Sequence, residues 1–173
     1  MAKQNTNSKK GFTIIEVVLV LAIAGLIFLM VFIALPALQR SQRDTQRRDD
    51  MARFLSQLNQ YQANNQGKVP QTQGDFNTFI NNYLQVRTDA TQARTAQDSF
   101  VDPSGADYTV QEVTTCASGN CSQQSEADDY KSGYIRVYLN AKCNGETPTY
   151  IQGSRKVAIT YKLEGAGIYC GNN

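Results

Sequence analysis

Apolar and polar positions divide this chain into two unlike parts. From Phe12 to Leu38 the only charge is Glu16, and the only other interruptions are Thr13, Gly25 and Pro36. The 22 residues from Val17 to Leu38 carry no charge, and as a helix they would span roughly 33 Å, enough to cross a bilayer. Past Leu38 the pattern turns amphipathic. Met51, Phe54, Leu55, Leu58 and Tyr61 recur at helical spacing on one side, which predicts a continuing helix over 39–66 packed by that face under a sheet. Asp44 to Arg48 and Asp49 to Arg53 are acid-first i, i+4 pairs, each worth about 0.2 to 0.5 kcal/mol on a helix. "NNQGKVP" ends the helix through Asn64, Asn65 and Gly67, with Pro70 beyond.

A connector follows over 67–105, with a short helix expected at "DFNTFINNYL", where Phe76, Phe79, Ile80 and Leu84 share a face. The period then changes. "YTVQEV", "GYIRVYLNAKC" and "KVAITYKLEG" are β-branched and aromatic runs, with Tyr134, Arg136 and Tyr138 alternating against Ile135, Val137 and Leu139. At least three strands are expected within 106–173. A long amino-terminal helix packed on an antiparallel sheet is an α+β arrangement of one globular domain plus an attached segment.

The formal charge of +2 belongs to the start of the chain. Lys3, Lys9 and Lys10 all precede Gly11, and the residues after it hold 14 basic against 15 acidic side chains. Lysines ahead of a span orient it amino-terminus inside, with the bulk of the chain outside the cytoplasm. Arg40, Arg43, Arg47 and Arg48 lie just past the span, but Asp44, Asp49 and Asp50 are interleaved with them. That mixture predicts a solvated or intersubunit ion-pair face and leaves nucleic-acid or anionic-lipid binding unsupported. A cleavable secretory signal fits poorly, because the run exceeds the usual apolar core and "IALPALQ" lacks small residues in the A-x-A pattern.

Glu16 is the residue that an ordinary membrane anchor does not explain. A carboxylate at the centre of a membrane helix costs about 2.5 to 3.5 kcal/mol, less near the boundary, so its presence implies a positive partner unless it snorkels to the headgroups. "KKGFTIIEVVLVLAIAGLI" resembles the amino-terminal signature of type IV pilin precursors and of type II secretion pseudopilins. The match is strongest over residues 9 to 29 and weaker through Pro70. The resemblance implies a basic leader, residues 1–11, cut after Gly11 by a prepilin peptidase, N-methylation of the new terminal Phe12, and a transmembrane and filament-core helix over 12–38. It also implies that Glu16 of one subunit receives the Phe12 ammonium of the next, an attraction strengthened by the low dielectric around it. The implied partners are further copies of the chain in a helical filament, the prepilin peptidase and methyltransferase, and a membrane assembly platform driven by a cytoplasmic ATPase. Membrane insertion comes before assembly, and an extracellular pilus after it.

Pro36 departs from this pattern by lying about a turn further along than is typical. It lacks an N–H, and its ring crowds the Phe32 carbonyl, so a kink or local opening is expected over Phe32 to Pro36. Cys116, Cys121, Cys143 and Cys170 all lie in the outer half. In an oxidising space they imply two disulfides, with three connectivities open. The favoured set joins Cys116 to Cys121 across "ASGN" and Cys143 to Cys170. Zinc is disfavoured by the lack of a CxxC pair and of any histidine. Asp128 and Asp129 in "SEADDYKSG" are weak calcium candidates, better read as a solvated turn. Without histidine the common triads and His-based acid/base schemes are excluded, and no P-loop, dinucleotide fingerprint or GxSxG occurs. The expectation is a non-enzymatic filament subunit without a cofactor. The alternatives are a secretion pseudopilin, and a signal-anchored surface binding domain or enzyme that never polymerises.

Overall fold

The computed structural model describes residues 11–84, 100–121, 133–153, 155–165 and 167–173. It divides into two compact units, the first ending at Gln39 and the second running from Arg40 to Asn173. Helix α1, Ile14–Asn64, contributes to both. In the first unit nearly every residue of α1 is exposed, including Ile14, Leu26, Phe28 and Phe32. A helix that is apolar on all sides and buried on none is suited to a non-aqueous surrounding, and α1 is long and apolar enough to cross a membrane. Pro36 lies inside α1 without ending it.

In the second unit, Met51, Phe54, Leu55 and Leu58 are buried along α1, the face that helical spacing picks out. The helix stops where Gln66 and Gly67 turn left-handed, at φ 57° and 78°, and the Gly67 N–H donates back to the Gln62 carbonyl at 2.7 Å. Helix α2, Gln73–Phe79, starts with a reciprocal capping box between Thr72 and Asp75 and runs into a π-helical turn, Ile80–Leu84. Phe76, Phe79, Ile80 and Leu84 are all buried, and the Phe79 ring meets Phe54 edge-on at 5.3 Å.

The strands are β1 Thr109–Thr115, β2 Tyr134–Leu139, β3 Ala141–Asn144, β4 Thr147–Tyr150, β5 Val157–Lys162 and β6 Ile168–Asn172. Four of them form a sheet in the order β1-β2-β5-β6, and β3 and β4 form a separate ribbon. Ile135, Val137, Leu139, Val157, Ile159 and Tyr161 face the core shared with α1 and α2. Tyr138 and Ala158 point the other way and pack with Cys116, Cys121 and Ala141. Both faces of the two central strands are therefore covered, which explains the near-continuous burial of β5.

The architecture is α+β, with two departures from the expected strands. The sheet is mixed, because β1 pairs parallel to β2; the 18 residues 116–133 separate them in sequence, where an antiparallel hairpin needs only two. "GYIRVYLNAKC" is two strands, because Asn140 adopts φ 55°, a left-handed turn that Asn tolerates. Its N–H donates to the Lys156 carbonyl, and its own carbonyl accepts from Ile151, redirecting the chain into the ribbon. On β6, a Cβ at Gly171 would come 2.7 Å from Leu55 Cδ1 and 2.6 Å from the Tyr169 hydroxyl. The missing side chain lets this strand lie against α1.

Candidate functional site

Gly11, Phe12 and Thr13 precede α1, and Phe12 is 89% exposed. Thr13 stands at the N-cap with Glu16 three residues on. The Thr13 N–H and hydroxyl both donate to Glu16 Oε2, at 3.2 and 3.0 Å, and the Glu16 N–H approaches Thr13 Oγ1 at 3.4 Å. This is the reciprocal arrangement of a capping box, in which a Ser or Thr and an acid three residues later satisfy two of the helix's orphan donors. A carboxylate in the first turn is also favoured by the positive end of the helix dipole. The T-x-x-E spacing of Thr13 and Glu16 is the sequence signal for this internal partner, beside the external one expected for Glu16. The structure gives the carboxylate a partner within its own helix start, one residue from Phe12.

Cys116 pairs with Cys121 and Cys143 with Cys170, at Cα separations of 5.5 and 5.8 Å. The first pair holds a loop whose backbone meets β4, with the Cys121 N–H on the Pro148 carbonyl and the Tyr150 N–H on that of Gly119. The second ties β3 to β6. Among the described residues no group of His, Cys, Asp or Glu is placed to hold a metal, and Asp128 and Asp129 lie outside them.

The arginine-rich turns differ most from expectation. Arg48 and Asp49 are exposed, as a solvated face requires, but Arg47 beside them is fully buried. Its guanidinium meets Asp102 with Nε at 2.7 Å and Nη2 at 3.1 Å, while Nη1 donates to Asp44 at 2.8 Å and to Glu164 at 3.1 Å. Arg43 Nε reaches Glu164 at 2.8 Å, and Asp44 in turn accepts the N–H groups of Glu164 and Gly165. The helical period explains the choice. Arg47 lies four residues before Met51 and seven before Phe54, on the buried face, whereas Arg48 and Asp49 point outward.

Burial works to lower the Arg47 pKa, but the hydrogen bonds it donates to Asp102, Asp44 and Glu164 hold it above its ordinary value. Burial likewise works to raise Asp102, yet its hydrogen bonds with Arg47, Ser104 and Tyr161 hold it at about 2. The Arg43 hydrogen bond is the main cause keeping Glu164 at about 2. Nearby, the Tyr108 hydroxyl donates to Asp50 at 3.0 Å, and burial pushes both groups up.

Residues 6–32 match the family model described as the prokaryotic N-terminal methylation motif, the class III signal sequence of type IV pilins and pseudopilins. The match takes in Gly11, Phe12, Thr13 and Glu16. No curated protein and no solved structure matches the chain.

Proposed function

We propose that this chain is the precursor of a type IV pilin, a structural subunit that is cut after Gly11, methylated on Phe12 and polymerised through its amino-terminal helix. The observation that carries the reading is the methylation motif coinciding with a continuous helix that begins two residues after Phe12 and is uncharged from Val17 to Leu38. In this reading 1–11 is the leader, 12–38 the membrane and filament-core helix, 39–66 its amphipathic continuation, 67–105 the connector and 106–173 the outer sheet. The precursor sits in the cytoplasmic membrane with its amino terminus inside until assembly. Pro36 is a site of bending in the core helix, and Glu16 takes the Phe12 ammonium of a neighbouring copy.

The partners are further copies of the chain, the prepilin peptidase and methyltransferase, and the membrane assembly platform. The same motif serves secretion pseudopilins, and long surface filaments would favour the pilin over them. The test is the intact mass and amino-terminal sequence of the protein from its own cells. A start at methylated Phe12 is expected. A start at Met1 in membranes that contain an active prepilin peptidase would refute the reading.

A further inference from the structure

The two disulfides reach only part of the second unit. One lies in the loop after β1 and the other joins β3 to β6. Residues 100–108, Gly133 and the 163–167 turn between β5 and β6 contain no cysteine, and these are the segments that converge on Arg47. Asp102 accepts from Arg47, from the Ser104 N–H at 2.8 Å and from the Tyr161 hydroxyl at 2.7 Å. The same hydroxyl accepts from the Gly133 N–H at the entrance to β2. Asp44 holds the turn after β5 by two backbone N–H groups, at 2.9 and 2.7 Å, and Glu164 in that turn binds both Arg43 and Arg47.

We infer that the Arg47 cluster is an electrostatic clamp that closes the end of the domain the disulfides do not reach, and that this end opens as a unit when the clamp is broken while the disulfide-bonded ribbon stays folded. The geometry favours one cooperative element because the groups share partners. Removing the guanidinium leaves the Asp102 carboxylate buried without its counter-ion, and Asp102 also orders the 102–105 turn and Tyr161. Buried pairs of this kind hold firmly only with every member present.

The groups facing the cluster define its response to pH. Among the described residues, from α1 they are Arg40, Arg43, Asp44 and Asp50. From the 100–108 segment they are Asp102 and Tyr108, from β5 Tyr161, and from the following turn Glu164. The pKa values of Asp102 and Glu164 are held down at about 2, so these two carboxylates keep their charge through mild acid. Asp50, raised by burial, runs the other way and favours the folded state at lower pH.

The inference does not depend on the filament reading. Its test is amide hydrogen exchange on the full chain in detergent micelles, resolved at Asp102, Ser104, Gly105, Gly133, Glu164 and Gly165. The comparison is between wild type, R47K and E164Q. R47K keeps the charge but loses the forked contact to Asp102, and exchange at these six amides is expected to rise at least tenfold, with the amides of β3 and β4 unchanged. E164Q removes only the partly exposed partner, and its rise is confined to Glu164 and Gly165. In wild-type protein, reduction of both disulfides should loosen β3 and β4 while the six amides keep their protection. Unchanged exchange at the six amides in both variants would overturn the clamp, as would a rise spread equally over β3 and β4. If R47K does not fold, the reduction experiment on wild-type protein decides it: loss of protection at the six amides together with β3 and β4 would overturn the clamp.

Discussion

Removing one disulfide at a time separates two loops of very different length. Cys116 and Cys121 are 5 residues apart, and Cys143 and Cys170 are 27 apart. In the chain-entropy account a crosslink stabilises by restricting the unfolded chain, and the effect grows with the logarithm of the loop it closes. This gives about 2 kcal/mol for the short loop and about 3.5 kcal/mol for the long one. The C143A/C170A variant should therefore lose about 1.5 kcal/mol more than C116A/C121A. Against a total stability of about 5 to 15 kcal/mol, either loss is substantial. The chain has nine Tyr and no Trp, so urea unfolding of the full chain in micelles can be followed by tyrosine fluorescence. With a urea slope of about 1 to 3 kcal/mol/M the midpoints should fall visibly and in that order. The account would be refuted if C116A/C121A cost as much as C143A/C170A or more. In that case native contacts of the "ASGN" loop with Pro148 and Tyr150, rather than unfolded-state entropy, would set the order.

Other substitutions and conditions test the remaining contacts. Gly133 has φ 81°, and a Cβ there would lie 2.3 Å from the Asp107 carbonyl oxygen; G133A should destabilise by about 3 kcal/mol in the same urea assay, and a neutral result would contradict the strand entrance. G171A should push β6 away from Leu55 and cost about 1 to 3 kcal/mol; full stability with unchanged tyrosine fluorescence would show that the close approach is not needed. Asp102 and Glu164 have folded pKa values of about 2, below an unfolded range of about 4. Their contribution is therefore complete above about pH 4 and is lost as the pH falls toward about 2. Thermal unfolding at stepped pH should show that acid limb, and in E164Q it should lose the Glu164 part and keep the Asp102 part. In the native host, E16Q should still be cut after Gly11 but should form no filaments; wild-type filament yield would count against the assembly role of Glu16.

Local regularities carried much of the fold. The Met51, Phe54, Leu55, Leu58 stripe and the Phe76, Phe79, Ile80, Leu84 face were legible because each repeats with the helical period and is buried as a row. Pro148 in β4 and Gly171 in β6 depress strand propensity, so those two strands carried little signal, although Pro148 sits in a ribbon edge and Gly171 is there for its lack of a side chain. The parallel β1–β2 pair depends on a long crossover that periodicity does not record. Arg47 was hidden for a different reason. Its neighbours offer equally charged i, i+4 partners, while Asp102 and Glu164 lie 55 and 117 residues away, and nothing local ranks a distant acid above a near one. The position of Arg47 in the Met51 and Phe54 register was the one available clue. For the amino-terminal segment, the motif was read through its chemistry toward a neighbour, and the capping geometry that T-x-x-E supports by itself went unread.

That capping geometry changes what subunit joining has to accomplish. With the Thr13 N–H and hydroxyl both donating to Oε2, the carboxylate of Glu16 is already partly solvated by its own helix start before any neighbour arrives. In the proposed filament, an incoming ammonium then meets a carboxylate whose Oε2 is already bonded to an internal hydroxyl and amide, which lowers its demand for a partner. The net gain on joining is therefore smaller than for a carboxylate with no internal donors. Thr13 thereby becomes a tuning residue: replacing its hydroxyl with a methyl group removes one internal donor and should shift the balance toward the joined state without touching either charge.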